Sequence, residues 1–363
     1  MKITIQKKNI EDIIKSISRI SLKGIIHPAL KLSRINISDN KLKISATNLA
    51  LAVVVTIDID QNDIFECFVD TVSLERILSG MSDSDEVFLN FNDKFIEINN
   101  RKAKARIPYQ EGEDVPSIPV VSGTNITLPA SNFKKSISVV LPSASTTDIK
   151  PELSSIFLNF KDNSIISVAT DAFQLMEYIN PVTINKENSF LLPAKESADI
   201  LKIIDNIDGA LSAVYTDTLF EIKTKNISII TKLTQGLFPD YTTIIPKDSI
   251  GNVSFLRNDL DMAIKFLMQL KSNKNHINFK TNENSIVFTT SNIDGGDSEY
   301  IIDASIEGDA FNGSIMAVHL RNLVNAIPGD SINIAFYGSQ KPFLATSLKG
   351  NNFRYLMMPI SAE

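Results

Sequence analysis

The densest run of potential metal ligands in this chain is a short acidic segment that contains Asp58, Asp60, Asn62 and Asp63. Oxygen-bearing side chains at alternating positions open a calcium-binding loop, whose sixth position is glycine and whose twelfth is a bidentate glutamate. Here the sixth position is Asp63 and the twelfth is Val69. We therefore interpret the segment as a polar turn and predict no metal site.

Side chains that commonly act in catalysis are few and scattered. The three histidines, His27, His276 and His319, occur in separate contexts, and Cys67 is the single cysteine. The sequence contains no zinc-protease, phosphate-loop or dinucleotide-binding motif, and no pair of carboxylates is placed for acid–base chemistry. We expect no catalytic residue and no cofactor, with Cys67 as a buried structural thiol. An enzyme with an active site assembled between domains remains an alternative.

The bulk composition is that of a soluble globular protein. The chain has 363 residues, 43% hydrophobic and 21% charged, with a formal net charge of −6. No apolar run is long enough to span a bilayer, and the N-terminus lacks a signal-peptide core, so we expect a cytoplasmic protein. The negative net charge is a weak argument against nucleic-acid binding, because binding depends on where the basic side chains lie.

The chain repeats itself three times. Segment 35–48 returns as 158–171 and again as 277–292, with steps of 123 residues from Thr47 to Thr170 and 121 from Thr170 to Ser291. A period of this length is too long for a solenoid, so each repeat must form a domain with its own core. We predict three domains, at residues 1–118, 126–246 and 249–363.

The same order of elements is predicted in each repeat. An amphipathic helix comes first, in segments 10–20, 133–141 and 260–267, and a β-hairpin follows it. The hairpin turns carry Asp39-Asn40, Asp162-Asn163 and Asn282 to Asn284, which tolerate left-handed backbone geometry. A second helix and alternating strands complete the repeat. The predicted fold class is α+β, with two helices per repeat backed by antiparallel sheet.

Four local motifs occur together on this threefold repeat. They are Thr170-Asp171 after the second hairpin, Phe238-Pro239-Asp240-Tyr241, Lys341-Pro342, and Met358-Pro359 near the C-terminus. In this combination the sequence resembles the bacterial DNA polymerase III beta subunits, the sliding clamps, over its whole length. The resemblance implies a non-catalytic processivity factor of DNA replication.

The resemblance also implies an assembly and a set of partners. Two subunits would form a head-to-tail homodimer, a ring that encircles double-stranded DNA without regard to base sequence. The expected protein partners are the replicative polymerase alpha subunit, the clamp-loader delta subunit and repair proteins, all bound through short peptides. A scaffold of the same fold that no longer encircles DNA is the alternative.

Three groups of residues follow from the resemblance. The expected DNA-facing residues are Lys15, Arg19, Arg76, Lys134, Lys135, Lys195, Lys202, Arg257 and Lys265. The expected dimer contacts are Ile107 and Leu270. The expected partner-peptide pocket consists of Leu153, Thr170, Ala172, Phe173, Leu175, Pro239, Ile244, Pro342, Met357, Met358, Pro359 and Ile360.

The sequence departs from the family beside that pocket. Ala172, Phe173 and Gln174 stand where glycine, histidine and arginine are usual. Because these changes remove cations from the expected rim, we predict that the partner peptides are less acidic or more apolar than is usual for the family.

Overall fold

The computed structural model describes residues 1–21, 27–81, 86–112, 115–184, 186–269, 275–291 and 296–360. The first repeat runs strand, helix, four strands, helix and three strands. Its elements are β1 (Lys2–Gln6), α1 (Lys7–Ser21), β2 (Leu32–Ser38), β3 (Lys41–Thr47), β4 (Leu51–Asp58), β5 (Phe65–Asp70), α2 (Thr71–Ser79), β6 (Glu86–Phe91), β7 (Phe95–Asn99) and β8 (Lys104–Gln110).

The second repeat has the same order of elements. They are β9 (Thr124–Pro129), α3 (Ala130–Val140), β10 (Ser155–Lys161), β11 (Ser164–Thr170), β12 (Gln174–Pro181), β13 (Asn188–Pro193), α4 (Ala194–Ile203), β14 (Ala210–Tyr215), β15 (Leu219–Lys223) and β16 (Ile227–Lys232). Short 3-10 helices occupy Pro28–Lys31, Leu141–Ser143 and Tyr241–Ile244.

The third repeat adds one short strand to this order. Its elements are β17 (Gly251–Leu256), α5 (Arg257–Leu267), β18 (His276–Thr281), β19 (Ser285–Ser291), β20 (Asp297–Asp303), β21 (Ser305–Gly308), β22 (Asn312–Met316), α6 (Ala317–Ala326), β23 (Ser331–Phe336), β24 (Phe343–Ser347) and β25 (Phe353–Met357). The predicted α+β class, with two helices per repeat, is confirmed. A short strand, which the sequence pattern did not separate, precedes the first helix of each repeat.

Turn chemistry fixes the first two hairpins. Asp39 and Asn40 have φ of 51° and 57°, and Asp162 and Asn163 have φ of 52° and 51°. Two consecutive left-handed residues form the two-residue turn whose twist matches that of the paired strands. The prediction from the Asp-Asn sequence is therefore confirmed for these two turns.

The chain divides into two compact units. The first contains Met1–Ala130 and Ala198–Leu233, and the second contains Ser131–Ser197 and Thr234–Glu363. The second repeat contributes to both units, and the boundaries of the three predicted domains stay a prediction. No helix among the described residues has the length and apolar character needed to cross a membrane.

The first unit is built on a twelve-stranded sheet with the strand order β1-β6-β7-β8-β5-β2-β3-β4-β16-β15-β14-β9. The first and second repeats meet in this sheet, where β4 pairs with β16 and places Ala52 opposite Ile230. Helices α1 and α2 pack against each other, and α1 also packs against β2, β3 and β4. Its face toward them is apolar, and Ile10, Ile14 and Ile17 are fully buried.

The second unit contains a nine-stranded sheet with the order β13-β10-β11-β12-β25-β24-β23-β17-β21. The second and third repeats meet where β12 pairs with β25. A four-stranded sheet, β20-β19-β18-β22, completes the unit, and α5 packs against α6 and against β20. The β12–β25 pair positions the candidate site described next.

Candidate partner-binding site

A tight turn at the end of β11 begins the site. The Thr170 hydroxyl donates to the Gln174 carbonyl oxygen at 2.6 Å and accepts from the Ala172 N–H at 3.1 Å. The Asp171 carboxylate accepts from the N–H groups of Phe173 and Gln174, both at 2.9 Å. These bonds hold Ala172 at φ 78°, a left-handed conformation that is costly for a residue with a Cβ atom.

The first repeat contains the same turn. The Thr47 hydroxyl donates to the Leu51 carbonyl oxygen at 3.0 Å and accepts from the Leu49 N–H at 3.0 Å, and Leu49 has φ 74°. The Asn48 side chain accepts from the N–H groups of Ala50 and Leu51. The turn is therefore a local property of the repeated Thr-Asx sequence.

An apolar row crosses the sheet beside the Thr170 turn. Leu175 on β12 lies opposite Leu356 on β25, and Leu356 lies opposite Leu344 on β24. Leu175, Leu356 and Val168 are at most 4% exposed. Partly buried side chains pack around these three, namely Phe157, Ile166, Phe238, Tyr241, Ile245 and Leu344. We call these residues together the apolar cluster.

The segment after β16 lays two aromatic rings on this sheet face. The Phe238 ring stacks on Phe157, with centroids 5.2 Å apart and planes at 7°, and Tyr241 meets Phe238 edge-on at 6.3 Å. Asp240 caps the 3-10 helix Tyr241–Ile244, which begins at the next residue, because its side chain accepts from the Thr242 N–H at 3.1 Å. The Phe-Pro-Asp-Tyr motif thus supplies a wall of the cluster.

A buried carboxylate ties this wall to the sheet. Glu177, 5% exposed, accepts from the Tyr241 hydroxyl at 2.7 Å through Oε2 and from Arg354 Nη1 at 2.9 Å through Oε1. Burial, and then the hydrogen bond to Glu177, raises the pKa of Tyr241 above its usual value. The phenol is therefore a donor throughout the physiological pH range, and it fixes the segment against β12.

Two exposed apolar side chains stand at one end of the cluster. Phe173 is 67% exposed and Met358 is 39% exposed. The Met358 N–H donates to the Phe173 carbonyl oxygen at 2.9 Å, which continues the β12–β25 ladder by one bond. Leu175 lies two residues after Phe173, and Leu356 lies two residues before Met358. The site is thus a partly covered apolar surface with an open end, suited to the apolar side chains of a peptide.

The structure brings some of the predicted pocket residues together. Leu175 is in the apolar cluster, and Phe173 and Met358 adjoin each other at its open end. Thr170 is 8% exposed and uses its hydroxyl within the turn.

The other predicted residues lie outside the cluster. Leu153 is partly buried in the turn before β10, where its N–H donates to the Lys150 carbonyl oxygen. Ala172 and Pro239 are exposed, while Pro342, Pro359 and Ile360 are partly buried.

Two predicted positions are off by one residue. Met357 is the register partner of Gln174 and is fully buried on the opposite face of the sheet, because neighbouring strand residues point to opposite faces. Leu356 takes the place that was expected of Met357. Likewise Ile245 packs against the cluster, whereas Ile244 is 55% exposed.

The expectation that Gln174 lies on the rim of the pocket is wrong. Gln174 is 6% exposed and points to the face opposite Leu175. Its amide group donates to the Asp171 carboxylate at 2.8 Å and accepts from Asn322 at 3.3 Å and from the Tyr355 hydroxyl. Gln174 therefore links the Thr170 turn to α6 and carries no rim charge.

Sequence reasoning missed most of the apolar cluster, including Leu356, Leu344, Phe238 and Tyr241. The Phe-Pro-Asp-Tyr motif is part of the resemblance, but the pocket that the resemblance implies includes only its proline, Pro239. The paired motifs at Phe238 and Met358 were the usable signal, because each is flanked by further apolar residues. The side of the strand on which each residue lies was not evident, since residues 355–357 are all apolar or aromatic.

The basic residues expected to face DNA lie on five of the six helices. Arg76 and Lys202 of the first unit are exposed, and so are Lys135, Lys195, Arg257 and Lys265 of the second unit. Lys15 and Lys134 are partly exposed, and Arg19 lies on α1. Acidic side chains are interleaved with them. Glu11 binds Lys15 at 2.7 Å and Asp261 binds Lys265 at 2.7 Å.

The two expected dimer contacts have different outcomes. Leu270 lies outside the described residues. Ile107 lies on β8 and is 2% exposed, so its side chain packs in the core and presents little surface to a partner.

Within the described residues, two strand edges have unpaired backbone groups and exposed side chains that a second copy could contact. Residues Lys104–Pro108 of β8 pair with β7 on one side, whereas β5 reaches β8 only at Tyr109 and Gln110. β20 is an edge strand of the four-stranded sheet. The β8 edge carries Lys104 and Arg106, and β20 carries exposed Asp297, Glu299 and Asp303.

Comparisons with known proteins agree with this architecture. Family models of the DNA polymerase III beta subunit match the central domain at residues 127–240 and the C-terminal domain at residues 242–361. The beta sliding clamp of Bacillus subtilis (strain 168) is 23% identical, and the alignment covers 99% of each chain. That of Buchnera aphidicola is 23% identical with the same coverage.

Solved structures show the same fold. The crystal structure of the DNA polymerase III beta subunit from Thermotoga maritima superposes with a TM-score of 0.93 at 20% identity and covers 100% of both chains. That of the Bacillus subtilis sliding clamp gives 0.91 at 20% identity, again over 100% of both chains. The two family models together match well over half of the sequence. The chain therefore belongs to the DNA polymerase III beta subunit family, whose members are non-catalytic sliding clamps.

Proposed function

We propose that this protein is a DNA sliding clamp. Two copies form a head-to-tail ring around double-stranded DNA in the cytoplasm and tether a replicative polymerase to it. The observation that carries the proposal is the agreement, along the whole chain, with relatives named beta sliding clamp. A tether acts by effective concentration, because a held polymerase rebinds its primer end faster than it escapes.

Charge and strand pairing support a head-to-tail contact between copies. The free edge of β8 carries Lys104 and Arg106, which are 58% and 60% exposed, and both bind Glu97 of β7. The free edge of β20 is acidic. The basic β8 edge of one copy is complementary to the acidic β20 edge of another copy. Because the two copies contribute different surfaces, the contact is heterologous. Edge pairing of this kind also covers strands that would otherwise favour aggregation.

The helices support weak contact with DNA independent of base sequence. Their exposed lysines and arginines can approach phosphates, while neighbouring acids such as Glu11 and Asp261 reduce the attraction. Diffuse phosphate contacts carry no sequence information and permit sliding. Topological enclosure, rather than affinity, would then hold the DNA.

The apolar cluster is the proposed docking site for partner peptides. Phe173 and Met358 offer exposed apolar surface beside the partly covered apolar cluster. Methionine and aromatic side chains adapt to related ligands, which suits a surface shared by several partners. The proposed partners are the polymerase alpha subunit, the clamp-loader delta subunit and repair proteins.

Retention on closed DNA tests the clamp. The protein is loaded onto nicked circular DNA with a bacterial clamp loader, isolated by gel filtration, and the circle is then cut with a restriction enzyme. We expect retention on the circle, loss on cutting, and about twice the monomer mass in solution. A protein that binds peptides but is equally retained before and after cutting, or is monomeric at high concentration, would instead be a scaffold of the clamp fold.

A further inference from the structure

Arg354 is a cation placed within reach of the apolar cluster. It lies on β25 two residues before Leu356 and therefore on the same face of the sheet. Its register partners are Glu177 on β12 and Thr346 on β24. The side chain is 39% exposed, whereas every residue of the cluster itself is uncharged.

Glu177 holds the Arg354 guanidinium in place and leaves part of it exposed to solvent. One carboxylate oxygen accepts from Arg354 at 2.9 Å and the other from the Tyr241 hydroxyl at 2.7 Å, and the residue is 5% exposed. The carboxylate cannot swing out to solvent without giving up both bonds. A guanidinium has five N–H donors, and within the described residues only one bond from Arg354, to Glu177, is seen. Its exposed edge retains donors in a fixed orientation.

The chemistry of that edge selects a particular ligand group. A fixed guanidinium fork matches the two oxygens of a carboxylate, and charge-assisted hydrogen bonds are stronger than neutral ones. Because Glu177 and Arg354 together have no net charge, the attraction comes from local donor geometry rather than from a long-range field. Asp240 on the neighbouring wall is exposed, and it would oppose an acid placed on that side.

We infer that Arg354 is a carboxylate-binding subsite of the apolar cluster, which selects partner peptides with an aspartate or glutamate beside their apolar residues. This inference rests on the proposed docking of peptides at the cluster. It reverses the expectation, drawn from Ala172, Phe173 and Gln174, that the partner peptides are less acidic or more apolar than is usual for the family.

A random heptapeptide library displayed on phage tests the inference with the full-length protein. Peptides selected on the wild-type protein should carry an acidic residue at a fixed spacing from apolar ones. A selected peptide is then synthesised with aspartate and with asparagine. We expect the asparagine form to bind the wild-type protein about tenfold more weakly, which is the loss of one charge-assisted hydrogen bond.

The informative variant is the double substitution Glu177→Gln and Arg354→Met. This variant removes the cation and keeps the net charge of the pair at zero. The amide oxygen of the new glutamine can still accept from the Tyr241 hydroxyl. The thermal unfolding temperature should therefore stay close to that of the wild-type protein. Arg354→Lys, which retains a cation without the fork, serves if the double variant does not fold. The peptide pair should differ less than twofold on the double variant and a few-fold on Arg354→Lys. Lys161→Met, which removes an exposed cation from β10, should keep the tenfold difference.

The possible failures are distinguishable. If the aspartate and asparagine peptides differ equally on wild type and on the double variant, or if selected peptides lack acids, the Arg354 subsite is wrong while peptide docking stands. If Phe173→Ser and Met358→Ser both leave the affinity of the selected peptides unchanged, the cluster is not a docking site. The docking part of the proposed function then fails, whereas the ring is tested separately by retention on circular DNA.

Discussion

Leu175 and Leu356 face each other across the β12–β25 pair, the only strand pair in the described part of the chain that joins the second and third repeats. The same two side chains are the buried floor of the apolar cluster, at 2% and 4% exposure. The joint between repeats and the candidate docking site are therefore built from the same contact.

This dual role predicts coupled stability effects. Leu175→Ala and Leu356→Ala should each lower the free energy of unfolding by about 2–5 kcal/mol, because each leaves a cavity. In the double variant the effects should deviate from additivity by about 0.5 kcal/mol or more, since one cavity is shared. Urea denaturation measures this. Leu356→Ala combined with Leu158→Ala, on the opposite face, is the control and should be additive. Additivity in the first pair would contradict the shared floor.

Ala172 is predicted to be a strained residue that glycine would relieve. Its φ of 78° costs about 1–2 kcal/mol for an L-residue, whereas glycine gives back about 0.4–1 kcal/mol through the unfolded chain. Ala172→Gly should therefore raise the unfolding free energy by about 1 kcal/mol. Ala210→Gly, in an ordinary strand conformation, should lower it by about 0.5–1 kcal/mol. A loss of stability for both would show that the Thr170 turn carries no strain.

His319 should make stability depend on pH. It lies on α6, 5% exposed, and burial lowers its pKa although Asp171 opposes the shift. As the pH falls through about 6.5, His319 is protonated in the unfolded chain but stays neutral in the folded chain. The contribution of His319 to the free energy of unfolding is therefore largest above that pH and decreases below it. Between about pH 7.5 and about pH 5.5 the wild-type protein should lose more stability than His319→Phe. Equal losses in thermal unfolding would contradict this.

Opposite charges on β8 and β20 should control self-association. Arg106→Glu places an acid against the proposed acidic partner edge and should weaken association about tenfold or more, measured by sedimentation. Glu299→Arg alone should weaken it similarly, and an equimolar mixture of the two variants should recover part of it. Lys161→Glu is a charge-reversal control away from both edges. Association that is unchanged by Arg106→Glu would exclude the β8 edge.

Much of the fold followed from local sequence. The step of 123 residues from Thr47 to Thr170 identified equivalent positions in two repeats. Asp39-Asn40 and Asp162-Asn163 identified two hairpins, because left-handed turn geometry depends on the residues in the turn itself. The helix faces were also readable, since their apolar spacing reflects burial on one side.

Tertiary structure decided which side chains form the site. Whether Leu356 or Met357 joins the cluster depends on the register of β25 against β12, and a shift of one residue exchanges the two faces. The same register buries Gln174 against Tyr355, 181 positions away, and leaves Arg354 at the open face. These choices are set by pairing between distant strands, and the local pattern of apolar residues is equally compatible with either face.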